Sequence, residues 1–121
     1  MPDELTHAIL GSAIEVHRIL GPGLLESIYE EALCEELSQR GIPYRRQVTV
    51  DVWYKDKAIK GQRLDLLVNE EVIVEIKSLS VMPEYVTAQA LSYLKAAGLK
   101  RALIINFGQK TLIKGVRRLS L

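Results

Sequence analysis

A single cysteine, Cys34, stands among the 121 residues, so the chain cannot close a disulfide within itself. With only His7 and His17 beside it, the chain is also too poor in soft ligands for a zinc site. No histidine pattern surrounds Cys34, which reads as a helix residue rather than a nucleophile. Charge of one sign is missing too. The net charge is +1, so bulk electrostatics speak neither for nor against nucleic acid, and only a local basic patch can. No apolar run approaches the ~18 residues of a membrane span, and the N-terminus lacks the basic-then-apolar layout of a signal peptide. No membrane association and a cytoplasmic location are therefore expected. Internal repeats and low-complexity stretches are absent as well. What is present, 48% hydrophobic and 26% charged residues, is the balance of a globular protein. The length suits one domain over residues 1–121.

Glycine and proline punctuate the chain at Gly21-Pro22-Gly23, Gly41-Ile42-Pro43, Pro83, Gly98 and Gly108. Between them, Leu5, Ile9, Ala13, Val16 and Leu20 recur at helical spacing, which predicts a helix over 3–20 with Asp3 as its cap. A second helix is predicted over 24–40, ended by Gly41. Val48, Val50, Val52 and Tyr54 alternate with Gln47, Thr49, Asp51 and Trp53, which predicts a half-buried strand over 47–54 and a turn at Lys55-Asp56-Lys57. Strands over 58–68 and 72–78 flank a polar turn, Asn69-Glu70-Glu71. A third helix is predicted over 84–97, a doubly covered strand over 102–107, and a last edge strand over 111–119. The order α-α-β-β-β-α-β-β describes an α/β fold. Its first three strands are antiparallel, the next is parallel through a helical crossover, and helices flank the mixed sheet.

The chemistry concentrates in Arg63-Leu-Asp-Leu-Leu-Val68 and Val72-Ile-Val-Glu-Ile-Lys-Ser78. Glu75 and Lys77 lie two apart on a strand and so share a face, while Val72, Val74 and Ile76 take the other. A turn of odd length places Asp65 opposite Glu75, with Cβ atoms about 5 Å apart. An even turn slips Asp65 to the wrong face. Two carboxylates at that distance suit a hard cation, Mg²⁺ or Mn²⁺. The cation activates water and neutralises a phosphate oxygen, and the Lys77 ammonium can orient the water or stabilise the transition state. The same residues also admit an internal ion pair without a metal. Glu26 sits in the first turn of the second helix beside Gly21-Pro22-Gly23, either as a ligand or as a carboxylate favoured by the helix dipole. Gln89 and Tyr93 are neighbours one turn apart in an apolar stripe and need polar partners, each other or a site. His17 could reach the site, but on a helix face it reads first as structural. Trp53 on the polar side of its strand suits base stacking or cross-strand packing. Arg45, Arg46, Lys55, Lys57, Lys60, Arg63, Arg117 and Arg118 form a phosphate-contacting rim or protect edge strands.

Gly23-Leu-Leu-Glu26-Ser-Ile-Tyr29 matches the G-x-x-E-x-x-Y signature that names a family of small bacterial and archaeal proteins. Glu15-Val-His-Arg18, Arg63-Leu-Asp-Leu66, Val74-Glu-Ile-Lys77 and Gln89-Ala-Leu-Ser-Tyr93 extend the likeness over nearly the whole chain. The chain thus resembles the GxxExxY family of the PD-(D/E)xK nuclease superfamily, although Leu64 replaces the proline of the "PD" half. The resemblance implies a restriction-endonuclease-like fold and Mg²⁺- or Mn²⁺-dependent hydrolysis of DNA. Asp65 and Glu75 would ligate the metal, Lys77 would act in catalysis and Glu26 would support or ligate. Gln89, Tyr93 and the signature's Tyr29 would lie on the substrate side. The alternative on the same fold is a non-catalytic nucleic-acid-binding or regulatory module. A domain this small offers little surface for DNA, which favours a homodimer.

Overall fold

Asp3 opens the first helix as expected: its carboxylate accepts from the Thr6 amide at 3.2 Å, and the helix, α1, runs Glu4–Leu20. The computed structural model describes residues 3–121. After α1 come α2 (Glu26–Gln39), β1 (Tyr44–Tyr54), β2 (Lys57–Val68), β3 (Val72–Lys77), α3 (Tyr85–Ala97), β4 (Arg101–Asn106), a 3-10 turn (Leu112–Gly115) and β5 (Val116–Ser120). The sheet order is β1-β2-β3-β4-β5. β3 and β4 are parallel through α3 and every other pair is antiparallel. This is the expected mixed α/β architecture and element order. Among the described residues, no helix is long and apolar enough to cross a membrane.

The sheet is covered on both sides. α1 and α2 bury Ile9, Ala13, Tyr29, Leu33 and Leu37 against Leu66, Val68, Val72, Val74 and Ile76. α3 covers the other side, where Tyr93 and Leu94 pack with Leu64, Leu67, Ile73 and Ala102. The alternation of β3 therefore sends even-numbered residues to one layer and odd-numbered ones, Glu75 and Lys77 included, toward the other.

Several boundaries differ from expectation, and β1 begins at Tyr44 rather than at Gln47. Leu24 and Leu25 precede α2 rather than opening it, and Leu25 is its N-cap without a side-chain cap bond. The loop is shaped instead by Tyr29, whose hydroxyl accepts from the Leu24 amide at 3.1 Å and donates to the Gly21 carbonyl. Residues 111–119 divide into the 3-10 turn and β5, because Gly115 lies where a Cβ would stand 2.3 Å from the Asn106 carbonyl oxygen. The hairpin of β1 and β2 turns on Lys55 and Asp56 alone, and Lys57 already pairs with Tyr54.

Candidate active site

The turn between β2 and β3 has three residues, Asn69 to Glu71, between the paired Val68 and Val72. Asn69 and Glu70 both take positive φ, 52° and 56°. Asn adopts that region readily. Glu70 does not, and its carboxylate is gripped by both arms of the Arg45 guanidinium at 2.7 and 2.8 Å. The odd length sets the register Leu66–Val74 and Leu67–Ile73, and the next residues outward are Asp65 and Glu75.

There the pairing of β2 with β3 stops. Instead of a backbone carbonyl, the Glu75 carboxylate (Oε2) accepts from the Asp65 amide at 2.8 Å, and the Asp65 carboxylate (Oδ2) accepts from the Ile76 amide at 2.8 Å. The strands part, and the acidic side chains occupy the gap between them. Where the acid is ionised, such a bond is charge-assisted and stronger than the neutral ladder bond it replaces. The layering changes at the same place: Leu66 and Val68 face α1 and α2, while Leu64 faces α3. On the neighbouring strand Gln47, opposite this step, takes φ 51°.

Each carboxylate has spent one oxygen on a backbone amide. Oδ1 of Asp65 and Oε1 of Glu75 have no such partner among the described residues. Glu75 is only 5% exposed. Burial first, and the Asp65 charge second, push its carboxyl up to about 8. Burial also raises Asp65, with the Ile76 amide acting against it and the Glu30 charge with it. Two adjoining acids resist ionising together in a dry cleft, and a cation between them would reverse that. Two hard oxygens fit Mg²⁺ or Mn²⁺, which keep several waters. Among the described residues no three His, Cys, Asp or Glu side chains converge on one point, so protein carboxylates supply a partial ligand set at most.

Lys77 lies on the same side of β3 as Glu75, half-buried. Its charge lowers both carboxyls, but less than burial raises them. Among the described residues it forms no direct ion pair. An internal Asp–Lys or Glu–Lys pair is thus not what holds this lysine. The backbone holds it: the Lys77 carbonyl accepts from the Phe107 amide at 2.8 Å. The Asn106 amide then clamps Leu79 from both sides, at 2.9 and 3.0 Å. Gly108 permits that approach, since a Cβ there would stand 2.2 Å from the Leu79 oxygen. Ser78 ties the same segment to the loop before α2 by donating to the Leu24 carbonyl at 2.6 Å.

The helices bring some expected residues and not others. Tyr93 is 8% exposed, and burial together with the Glu75 and Asp65 charges raises its hydroxyl. It lines an open groove of about 400 Å³ with Asp65, Gln47, Gln62 and Arg63. Gln89, one turn earlier, is exposed and outside that groove. Glu26 is exposed in the first turn of α2, and its charge is felt weakly at Asp65. Tyr29 must be corrected. It is fully buried, stacked on Phe107 at 4.5 Å with its hydroxyl committed to the Gly21–Leu24 loop, and has no surface to offer a substrate. His17 is structural, bonded to the Gln109 carbonyl at 2.8 Å. Cys34 is buried with its thiol pushed up to about 11, which removes it as a nucleophile.

Glu30 escaped sequence reasoning. It lies one turn beyond Glu26, is 8% exposed, and its charge bears on both Asp65 and Glu75. Arg46 occupies one of its oxygens at 2.8 and 3.0 Å and Gln47 the other at 2.9 Å. Its oxygens are committed, so it positions Gln47 at the groove rather than ligating. The i, i+4 step from Glu26 was the available signal. The basic rim also shrinks. Arg45, Arg46 and Lys60 are paired with acids, and Arg117 binds the carbonyls of Met82 and Pro83. Lys55, Lys57 and Arg63 stay exposed without an ion pair among the described residues.

A family model described as the PD-(D/E)XK nuclease superfamily matches residues 3–119. No curated protein and no solved structure matches.

Proposed function

The chain belongs to the PD-(D/E)XK nuclease superfamily, and from that premise we propose that it hydrolyses phosphodiester bonds of DNA with Mg²⁺ or Mn²⁺ held by Asp65 and Glu75. The observation that carries this reading is the parted strand pair, where each carboxylate is fixed by a backbone amide and keeps one oxygen free. The cation, when bound, supplies Lewis acidity toward a phosphate oxygen and lowers the pKa of a water. The chain's own residues do the rest. The amides of Asp65 and Ile76 hold the two carboxylates in place, which spares reorganisation during the reaction. The Lys77 ammonium orients the attacking water and offsets charge that builds on the phosphate. Tyr93 borders the groove through which the strand reaches the pair, and Gln89 touches the strand farther out. Glu26 acts only through water. Gly23, Glu26 and Tyr29 match the G-x-x-E-x-x-Y signature, which supports membership of that subgroup, with Tyr29 shaping the loop.

The experiment is incubation of pure protein with single-stranded, duplex and flapped DNA in Mn²⁺, beside Asp65→Ala and Lys77→Ala. Cleavage by the wild type, lost in both variants that still fold, supports the reading. DNA binding with no cleavage in any metal would leave a nucleic-acid-binding module on this fold.

A further inference from the structure

The outer half of the β1–β2 hairpin is an arm. β3 pairs with β2 only over Leu66–Val68, so from Lys57 to Asp65 the only strand paired with β2 is β1. On β1, the other strand of the arm, Trp53 is 66% and Tyr54 62% exposed, the most exposed aromatic side chains outside α3 among the described residues. The cations Lys55 and Lys57 flank its tip.

The arm is joined to the site. A cleft of about 390 Å³ lies between it and α3, lined by Trp53, Gln62, Ser92, Lys95 and Ala96. Gln62 also lines the groove that holds Arg63, Asp65 and Tyr93. The two depressions adjoin at Gln62, one reaching Trp53 and the other Asp65. Where they meet, Gln62 donates to Ser92 at 3.3 Å, while its carbonyl oxygen is buried without a partner among the described residues. Such an acceptor needs a donor from water or a ligand. The acid at the outer end, Asp51, is neutralised by Lys60 at 2.7 Å. Lys95 and Arg63 leave the path positive.

We propose that this path holds a single unpaired nucleic-acid strand, with Trp53 as the platform on which a base stacks and Arg63 and Lys95 following its phosphates. The inference rests on the phosphodiesterase reading, which places a phosphate at Asp65. Base stacking on an indole requires an unstacked base. A cleft of about 390 Å³ takes one small ligand's volume, not a duplex. From Asp65 to Ala58, the residue paired with Trp53, β2 rises roughly 23 Å at ~3.3 Å per residue, a span of a few nucleotides.

Trp53 is the only tryptophan in the chain, so its own fluorescence reads the contact. The full chain in EDTA, where no cleavage intervenes, is titrated with a short oligodeoxythymidylate, its ribose counterpart, and a duplex of equal length. Saturable quenching by a single strand, with at least tenfold weaker binding of the duplex, is expected. The deoxy and ribo arms tell DNA from RNA, and a preference for either sustains the proposal. With labelled strand, Trp53→Ala weakens binding about tenfold or more, Trp53→Phe restores most of it, and Arg63→Ala flattens the salt dependence by a slope of about 0.7. Unchanged Trp53 emission, or a duplex bound as tightly as the single strand, overturns the arm while leaving Mn²⁺-dependent cleavage intact. Emission that shifts with protein concentration and not with oligonucleotide assigns the arm to a second copy and likewise overturns it. Single-strand binding by a wild type that cuts nothing keeps the arm and removes the chemistry.

Discussion

The two halves of β2 belong to one strand but live in different surroundings. Leu66 to Val68 have a strand on either side and a helical layer on each face, and all are buried. Lys57 to Arg63 have one neighbouring strand and are mostly exposed. Asp65 stands at the border. A carboxylate in the inner half would be fully desolvated, and in the outer half it would be an ordinary surface charge. At the border it is dry enough to be perturbed, yet it stays within reach of the groove. The lesson is that the site is made by ending a strand pair, not by adding a loop.

The largest difference is expected from truncation on either side of the border. Leu66→Ala removes a fully buried side chain and is expected to cost about 2–5 kcal/mol in denaturant unfolding. Ile59→Ala, 44% exposed on the arm, should cost no more than about 0.5 kcal/mol. Equal losses would mean that the arm is part of the core.

The next effect concerns pH. Glu75 is raised to about 8 from 4.5, and Asp65 is raised as well. The folded state therefore holds protons that the unfolded chain has released. Stability from these groups is complete below about pH 4.5 and is lost as pH rises through about 8. Thermal melts in EDTA should show the wild type losing stability across that window relative to Glu75→Gln, by an amount on the order of a few kcal/mol. Added Mn²⁺ should recover it at the alkaline end. A difference that grows with pH in the wild type's favour would contradict the dry, unpaired carboxylates.

Smaller is the loss from Tyr29→Phe. Removing the hydroxyl leaves the Gly21 carbonyl and Leu24 amide without their partner, which should cost about 1–3 kcal/mol in chemical denaturation. Smallest is Lys60→Ala, which breaks an exposed pair with Asp51 and should change stability by less than about 1 kcal/mol.

Much of the frame was legible in the sequence. Glycines and prolines fixed the element order. The period of two on β3, joined to a turn of odd length, predicts Asp65 opposite Glu75. What was not legible depended on distant partners. Val48 to Tyr54 alternate evenly, yet only Val48 and Val50 pack against α3. Val52 and Tyr54 are exposed beyond a register shift between Val50 and Val52 that breaks the alternation. Glu30 looks like any helix acid until Arg46 and Gln47 reach it from β1, a contact no local pattern encodes. Tyr29 stands in the signature beside Glu26 and so invited a substrate role, whereas burial against Phe107 gives it a structural one.

The role proposed for Lys77 lies in chemistry and not in an internal ion pair. Its most direct test is Lys77→Ala, with unfolding and cleavage of labelled DNA measured side by side. Because Lys77 is half-buried and makes no direct ion pair among the described residues, the metal-free variant should keep its stability within about 1 kcal/mol. Metal and DNA binding should be nearly unchanged. Cleavage should fall by about 100-fold or more, which corresponds to ~2.7 kcal/mol of transition-state stabilisation. A variant that loses ~3–5 kcal/mol of folding stability, beside a wild type that cuts no nucleic acid, would contradict the claim and leave only the fold.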